Sequence, residues 1–177
     1  MTEKQPGRLS LVRDDGHALG GVDAPKPDPE VGQIWIARSE TGAEMPVLIA
    51  ELHGDHVQAL LCGEEWQLAT ETDAVLDFST TGLTRRLLVH GDVSGSILTR
   101  RLSRLLSQID PYLVERIVLR GRGLDFNSSD LGRGRAILEE SDPRWGWKLQ
   151  KHRQLRRIRA RASELGWEIY KLGPREE

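Results

Sequence analysis

Between Arg144 and Arg161 the chain carries eight Lys/Arg and no Asp or Glu, a density of cations suited to neutralising phosphates. The stretch follows Asp142-Pro143, a helix-start signal in which Asp caps the first turn and Pro occupies its first position. At 100° per residue Trp147, Leu155, Ile158, Ala162 and Leu165 share one face. Lys148, His152, Arg153, Arg156, Arg157 and Arg159 spread over the other, with Arg161 at its margin. Like charges four residues apart repel, so ordinary helix faces mix signs. Leaving the repulsion uncompensated points to an anion outside the helix. Three readings stand: an external polyanion, docking on the chain's own acidic body or an acidic protein partner, and an idle face. The first is favoured, so these seven residues are the expected nucleic-acid contacts, with RNA or DNA as partner.

Other reactive residue types are weaker signals. Gly121-Arg122-Gly123 and Gly132-Arg133-Gly134-Arg135, with Phe126 nearby, fit either a phosphate-contacting loop or a plain linker, and the linker is favoured. Gly121 and Gly123 lack the third glycine of a dinucleotide fingerprint, and no Gly-Lys-Ser/Thr follows. His53 and His56 flank a turn without a third ligand, so no metal site is expected. Ser94 in Gly91-Asp92-Val93-Ser94-Gly95 is one position off a nucleophile elbow and fits a turn better. Glu64 and Glu65 are adjacent carboxylates, more consistent with solvation than with general-base work. Cys62 is the only cysteine. No catalytic set and no cofactor motif emerge.

The elements that must position these residues follow from texture. Residues 1–119 hold 11 Lys/Arg against 18 Asp/Glu, a net of −7, while residues 120–177 hold 14 against 9, a net of +5. With 38% hydrophobic and 29% charged residues a buried core is expected. No apolar run approaches membrane-spanning length, and neither a signal peptide nor a cysteine pair is evident, so a cytoplasmic setting is expected. Residues 1–29, rich in Gly and Pro, read as a flexible lead-in, with Leu9–Val12 as an optional edge strand. Short β-rich runs follow at Gln33–Arg38, Met45–Ala50, His56–Leu61, Glu65–Ala69, Ala74–Phe78 and Arg86–His90. They signal a small antiparallel barrel with Trp35 and Trp66 in its core. Residues 96–109 fit a helix or a strand equally. Asp110-Pro111 opens a short helix to about Leu119, and the basic helix should run from Pro143 to Leu165 with Gly166 as its stop. Trp145, Trp147 and Trp167 are expected to anchor it, and Trp167–Leu172 to form a last strand.

Several of these runs resemble the PemK/MazF family of toxin-type small barrels. Val31-Gly32-Gln33-Ile34-Trp35 is similar to that family's first strand, and Met45-Pro46-Val47-Leu48-Ile49 to its Arg-Pro-Val-Leu-Ile. Thr81-Gly82-Leu83, Leu87-Leu88-Val89 and Arg100–Leu105 are similar to its Thr-Gly-Leu, central strand and Arg-rich closing strand. Asp110–Glu115 falls at its short helix. The resemblance covers Val31 to about Ile117 and implies an SH3-like barrel, with residues 99–106 as strand and a homodimer as the analogous assembly. It also implies endoribonuclease chemistry in which the arginine before the Pro-Val-Leu-Ile run stabilises phosphate charge. That position is Met45 here, and Cys62-Gly63-Glu64 stands where a Ser or Thr ends the third strand. No catalytic residue carries over.

The expected architecture is therefore α+β: a lead-in over 1–29, an SH3-like antiparallel barrel over 30–119, and a basic helical extension over 120–177. The expected role is nucleic-acid binding or regulation without the family's usual ribonuclease chemistry. An active endoribonuclease using other residues, and an interaction module whose basic helix binds an acidic partner, are the alternatives.

Overall fold

The computed structural model describes residues 26–124, 131–132 and 134–165. Six strands, β1 (Gln33–Arg38), β2 (Glu44–His53), β3 (His56–Gly63), β4 (Asp73–Leu76), β5 (Leu87–Leu98) and β6 (Leu102–Gln108), form one sheet in the order β4-β5-β3-β2-β1-β6. Every pairing is antiparallel. A single helical turn α1 (Phe78–Thr81) and the helices α2 (Pro111–Gly121) and α3 (Pro143–Ile158) complete the α+β architecture that the alternating runs predict.

Successive strand residues point to opposite faces, and here both faces are buried. Ile34, Leu48, Leu60 and Val89 pack on one side with Val114 and Ile117 of α2. Trp35, Val47, Ile49, Ala59, Leu61 and Met45 pack on the other with Leu155 and Ile158 of α3. This is why Met45–Ala50 reads as a continuous apolar run rather than an alternating one. A strand covered on both faces has no solvent side to mark with polar residues. The basic helix is thus the cover of the second face.

β5 seats both helices. It bends where Leu60 faces Ser94 but Cys62 faces Val89, and two glycines flank the bend. A Cβ on Gly121, at the end of α2, would lie 2.0 Å from the Gly91 carbonyl oxygen, so helix and strand backbones touch there. A Cβ on Gly95 would meet the Leu155 side chain of α3 at 3.3 Å. Gly91–Gly95 is therefore mid-strand and not the expected turn, because its glycines serve close approach rather than chain reversal.

Other expectations are corrected. Trp66–Leu68 is a 3-10 turn rather than part of a strand, and Trp66 is 38% exposed instead of lying in the core, whereas Trp35 is fully buried. Within the ambiguous stretch, Thr99–Arg101 is a 3-10 turn and the strand begins at Leu102. Gly132 and Arg135 are tied down: Gly132 exchanges backbone hydrogen bonds with Val75 at the β4 edge, and Thr70 bridges Arg135. Arg120, buried at the end of α2, donates to the Leu131 and Gly132 carbonyls. α3 ends at Ile158, with a separate 3-10 turn at Ala162–Leu165. Leu9–Val12, Phe126, Gly166 and Trp167–Leu172 lie outside the described residues.

Candidate nucleic-acid interface

Both helix-start signals hold at the atomic level. The Asp110 carboxylate accepts from the Tyr112 amide at 2.8 Å, and that of Asp142 from the Arg144 amide at 2.9 Å. α3 turns Leu155 and Ile158 inward as expected, but lysines share that face. Its inner line is Lys148, Lys151, Leu155 and Ile158, all buried. Lys148 Nζ donates to Asp73 Oδ1 and, at 2.5 Å, to Asp92 Oδ1. Lys151 Nζ donates to Glu65 Oε1 at 2.9 Å and stands 5.2 Å from the Trp147 ring centroid. Lys148 is therefore no solvent-facing phosphate contact. The acidic strands attract it, and a four-carbon stem lets an ammonium reach them from a helix whose apolar stripe is only two residues wide. Trp147 does pack inward, edge-on to His90 at 5.1 Å, but Trp145 is 49% exposed and anchors nothing.

The lysine dock encloses a polar cluster that the sequence does not announce. Asp73 and His90 face one another across β4 and β5, and His90 Nδ1 lies 3.2 Å from Asp73 Oδ1. Asp73 Oδ2 accepts from the Thr70 amide at 2.8 Å and its hydroxyl at 2.9 Å. Burial pushes the Asp73 carboxyl up, but the His90 bond and the Lys148 charge outweigh it and hold the group at about 2. Burial also pushes His90 below its ordinary value, more strongly than Asp73 pulls it up, and the neighbouring lysines add to the lowering. The coherent state is an ionised Asp73 beside a neutral His90 that donates through Nδ1. Its Nε2 is buried with no hydrogen-bond partner among the described residues. The one clue in the sequence is a histidine ending the apolar run Leu87-Leu88-Val89.

Other residues of reactive type are engaged in packing and pairing. Met45 is buried in the second core beneath α3, with no charge to offer a phosphate. Burial pushes the Cys62 thiol far up, which suppresses its thiolate. Glu65 is engaged by Lys151, and His53 stacks on His56 at the β2–β3 turn. Among the described residues no cluster of His, Cys, Asp and Glu could hold a metal. No described helix is long and apolar enough to cross a membrane.

The far end of α3 is built differently. Arg101, largely buried, donates to the Ile158 and Arg159 carbonyls at 2.9 and 3.0 Å and so caps the helix C-terminus. It also binds Glu40 and Glu164, while the Ala160 amide donates to the Ser96 carbonyl. Around this clamp Arg156, Arg157, Arg159 and Arg161 line a concavity of about 430 Å³ with Glu40 and Thr41. Arg153, Arg156, Arg157 and Arg159 are exposed and have no carboxylate partner among the described residues. Arg161 reaches Glu40 only at 3.4 Å and stays mostly exposed. His152 is half-buried beside them. The structure thus gathers Arg156, Arg157, Arg159 and Arg161 at one rim, keeps Arg153 on the same outer face, and removes Lys148 to the core.

No protein-family model and no curated protein matches the chain. Solved structures do. The chain is similar to an endoribonuclease from a mycobacterial species in complex with its cognate antitoxin, at 19% identity and a TM-score of 0.46 over 56% of this chain and 100% of that one. It is similar to the Mycobacterium tuberculosis toxin MazF-mt6, at 20% identity and a TM-score of 0.43 over 53% of this chain and 99% of that one. A second mycobacterial endoribonuclease gives 20% identity and a TM-score of 0.43 over 56% and 95%.

Proposed function

We propose that this chain binds nucleic acid through the outer, C-terminal part of α3, and that it does so without cleaving RNA. The observation that carries the reading is the division of α3's cations: the buried lysines are consumed by Asp73, Asp92 and Glu65, whereas Arg153, Arg156, Arg157 and Arg159 are left exposed without an acidic partner among the described residues. Unpaired arginines around a concavity suit phosphates, which the planar guanidinium meets with two hydrogen bonds at once. The acidic-body reading accounts for Lys148 and Lys151 but leaves these arginines unexplained.

Binding should be sequence-tolerant and fall steeply with salt. Each phosphate neutralised should add about 0.9 to the log–log slope for duplex DNA, or about 0.7 for a single strand. The Arg153→Glu, Arg156→Glu, Arg157→Glu triple variant should weaken binding on every sequence and flatten that slope by about 2 to 3. Unchanged affinity and slope in a gel-shift titration would overturn the reading, and loss of a protein partner alone would favour the interaction module. On the catalytic side, Met45 supplies no cation to a phosphate in transition, so purified protein should leave RNA intact without added metal. Robust cleavage would restore the endoribonuclease alternative.

A further inference from the structure

A second concavity lies at the other end of α3. It encloses about 760 Å³ between Trp66, Asp77, Arg86, Arg135 and Arg144, a volume within the range of small-ligand sites. Its walls have the parts a nucleotide needs. The Arg86 guanidinium carbon sits 4.9 Å from the Trp66 ring centroid, forming a flat cationic–aromatic pile beside the cavity. Asp77 Oδ1 accepts from Arg86 Nε at 2.8 Å and holds that guanidinium in place. Among the described residues only this one Asp77 oxygen is hydrogen-bonded by a side chain, which leaves the other for an exocyclic amine. Arg135 is exposed with no carboxylate partner among the described residues. Its backbone is pinned by the Thr70 bridge and by Arg144 Nη1, which donates to the Arg135 carbonyl at 2.9 Å.

A ligand matching these walls is planar, carries amine donors at its edge and is anionic beside the plane. A nucleotide has all three properties. In a duplex both faces of a base are stacked and its pairing edge is engaged, so only an unpaired one can enter. Arg144 reaches the cavity from the first turn of α3, and Arg156 stands twelve residues along the same helix. At 1.5 Å per residue the two are about 18 Å apart, a span a few nucleotides cover. The solvent face between them exposes Trp145 and Leu149, apolar surface on which further bases can lie.

We infer that the Trp66–Arg86 cavity is a subsite for one unpaired base and its phosphate, which makes the nucleic acid bound along α3 single-stranded. This rests on the proposed nucleic-acid binding and deepens it. The subsite takes the base on the Trp66–Arg86 pile, reads its edge with Asp77 and holds its phosphate with Arg135.

The test compares wild type, Trp66→Leu, Arg135→Glu and the triple arginine variant in two measurements. One is fluorescence anisotropy of a labelled single strand and of a duplex with the same number of phosphates. The other is quenching of tryptophan fluorescence by a nucleoside monophosphate. Wild type should prefer the single strand and show saturable quenching. Trp66→Leu and Arg135→Glu should each lose about tenfold in single-strand affinity, keep their duplex affinity, and melt as wild type does because both side chains reach solvent. The triple variant should lose affinity for both forms. Single-strand affinity unchanged in both cavity variants overturns the subsite, while the triple variant's losses still uphold the arginine rim. If the triple variant instead binds as wild type does, the rim fails, and quenching that vanishes in Trp66→Leu still upholds the cavity. A monophosphate bound as tightly as the strand overturns the strand assignment and makes the cavity a site for free nucleotide.

Discussion

Two helices cover opposite faces of one sheet, and they are held there by different physics. α2 docks through Val114 and Ile117, which join the apolar cluster around Ile34, Leu48 and Leu60. α3 contributes only Leu155 and Ile158 to the other cluster and docks as much through Lys148 and Lys151 on Asp73, Asp92 and Glu65. Apolar burial is indifferent to pH. An ion-paired dock depends on every partner keeping its charge, since a buried charge left alone is far worse than none. The second face of this protein should therefore be conditional where the first is not.

The largest effect should come from removing the cation at the centre of that dock. Lys148→Met leaves the buried Asp73 carboxylate without its countercharge and should cost about 3–5 kcal/mol. Adding Asp73→Asn to the same chain should return most of that, because the carboxylate rather than the missing lysine is the harm. Urea unfolding of the three variants measures both numbers. A single-variant loss below about 1 kcal/mol would mean that α3 does not need its lysines. On the other face, Ile117→Ala opens a cavity at a fully buried site and should cost about 2–5 kcal/mol. That loss should be the same at pH 5 and pH 8.

How far this contrast was legible in the sequence differs between the faces. Asp110-Pro111 and Asp142-Pro143 announce both helix starts, because N-capping is a local event. Gln33–Arg38 is visible as a strand for the same reason. The burial of the α3 lysines was not legible. The helix's apolar residues put Leu155 and Ile158 inward, as they are, but do not show that Lys148 and Lys151 share that line. What draws the lysines in is a set of carboxylates on β4, on β5 and beside Trp66, more than fifty residues away in each case. Helical periodicity cannot report a partner at that distance. The Asp73–His90 pair was hidden likewise, since it exists only through the register of two strands. The same holds for Trp66 and Arg86, brought together by a turn and a strand start.

Acid should separate the faces next. The folded state keeps His90 neutral by lowering its proton affinity, so below the ordinary histidine value of 6.5 the unfolded chain binds a proton that the folded one refuses. The stability this contributes is complete above that value and is lost as pH falls beneath it. Asp73, held at about 2 against an ordinary 3.8, adds a second loss below about pH 4. Melting temperature should thus decline from pH 7 to pH 5, and His90→Gln should flatten that part of the profile. A slope identical in His90→Gln would assign the loss to groups outside the dock.

The smallest expected effect is on the outer face of α3, and its smallness is informative. Arg153 and Arg157 stand four residues apart on one helix, both exposed and both cationic, so they destabilise it by a few tenths of a kcal/mol. If either docked on the acidic sheet, converting it to glutamate would set like charges together and lower the melting point sharply. Each instead has solvent in front of it. Arg153→Glu and Arg157→Glu should therefore each shift stability by no more than about 0.5 kcal/mol, and either single change should relieve the repulsion between the pair. Calorimetry at low salt, where surface charges are least screened, is the sharpest measurement. A loss above about 1.5 kcal/mol in either variant would show that arginines as well as lysines hold α3 down. With no such loss, the face is kept cationic against the helix's own interest, and the reason for it must lie outside the fold.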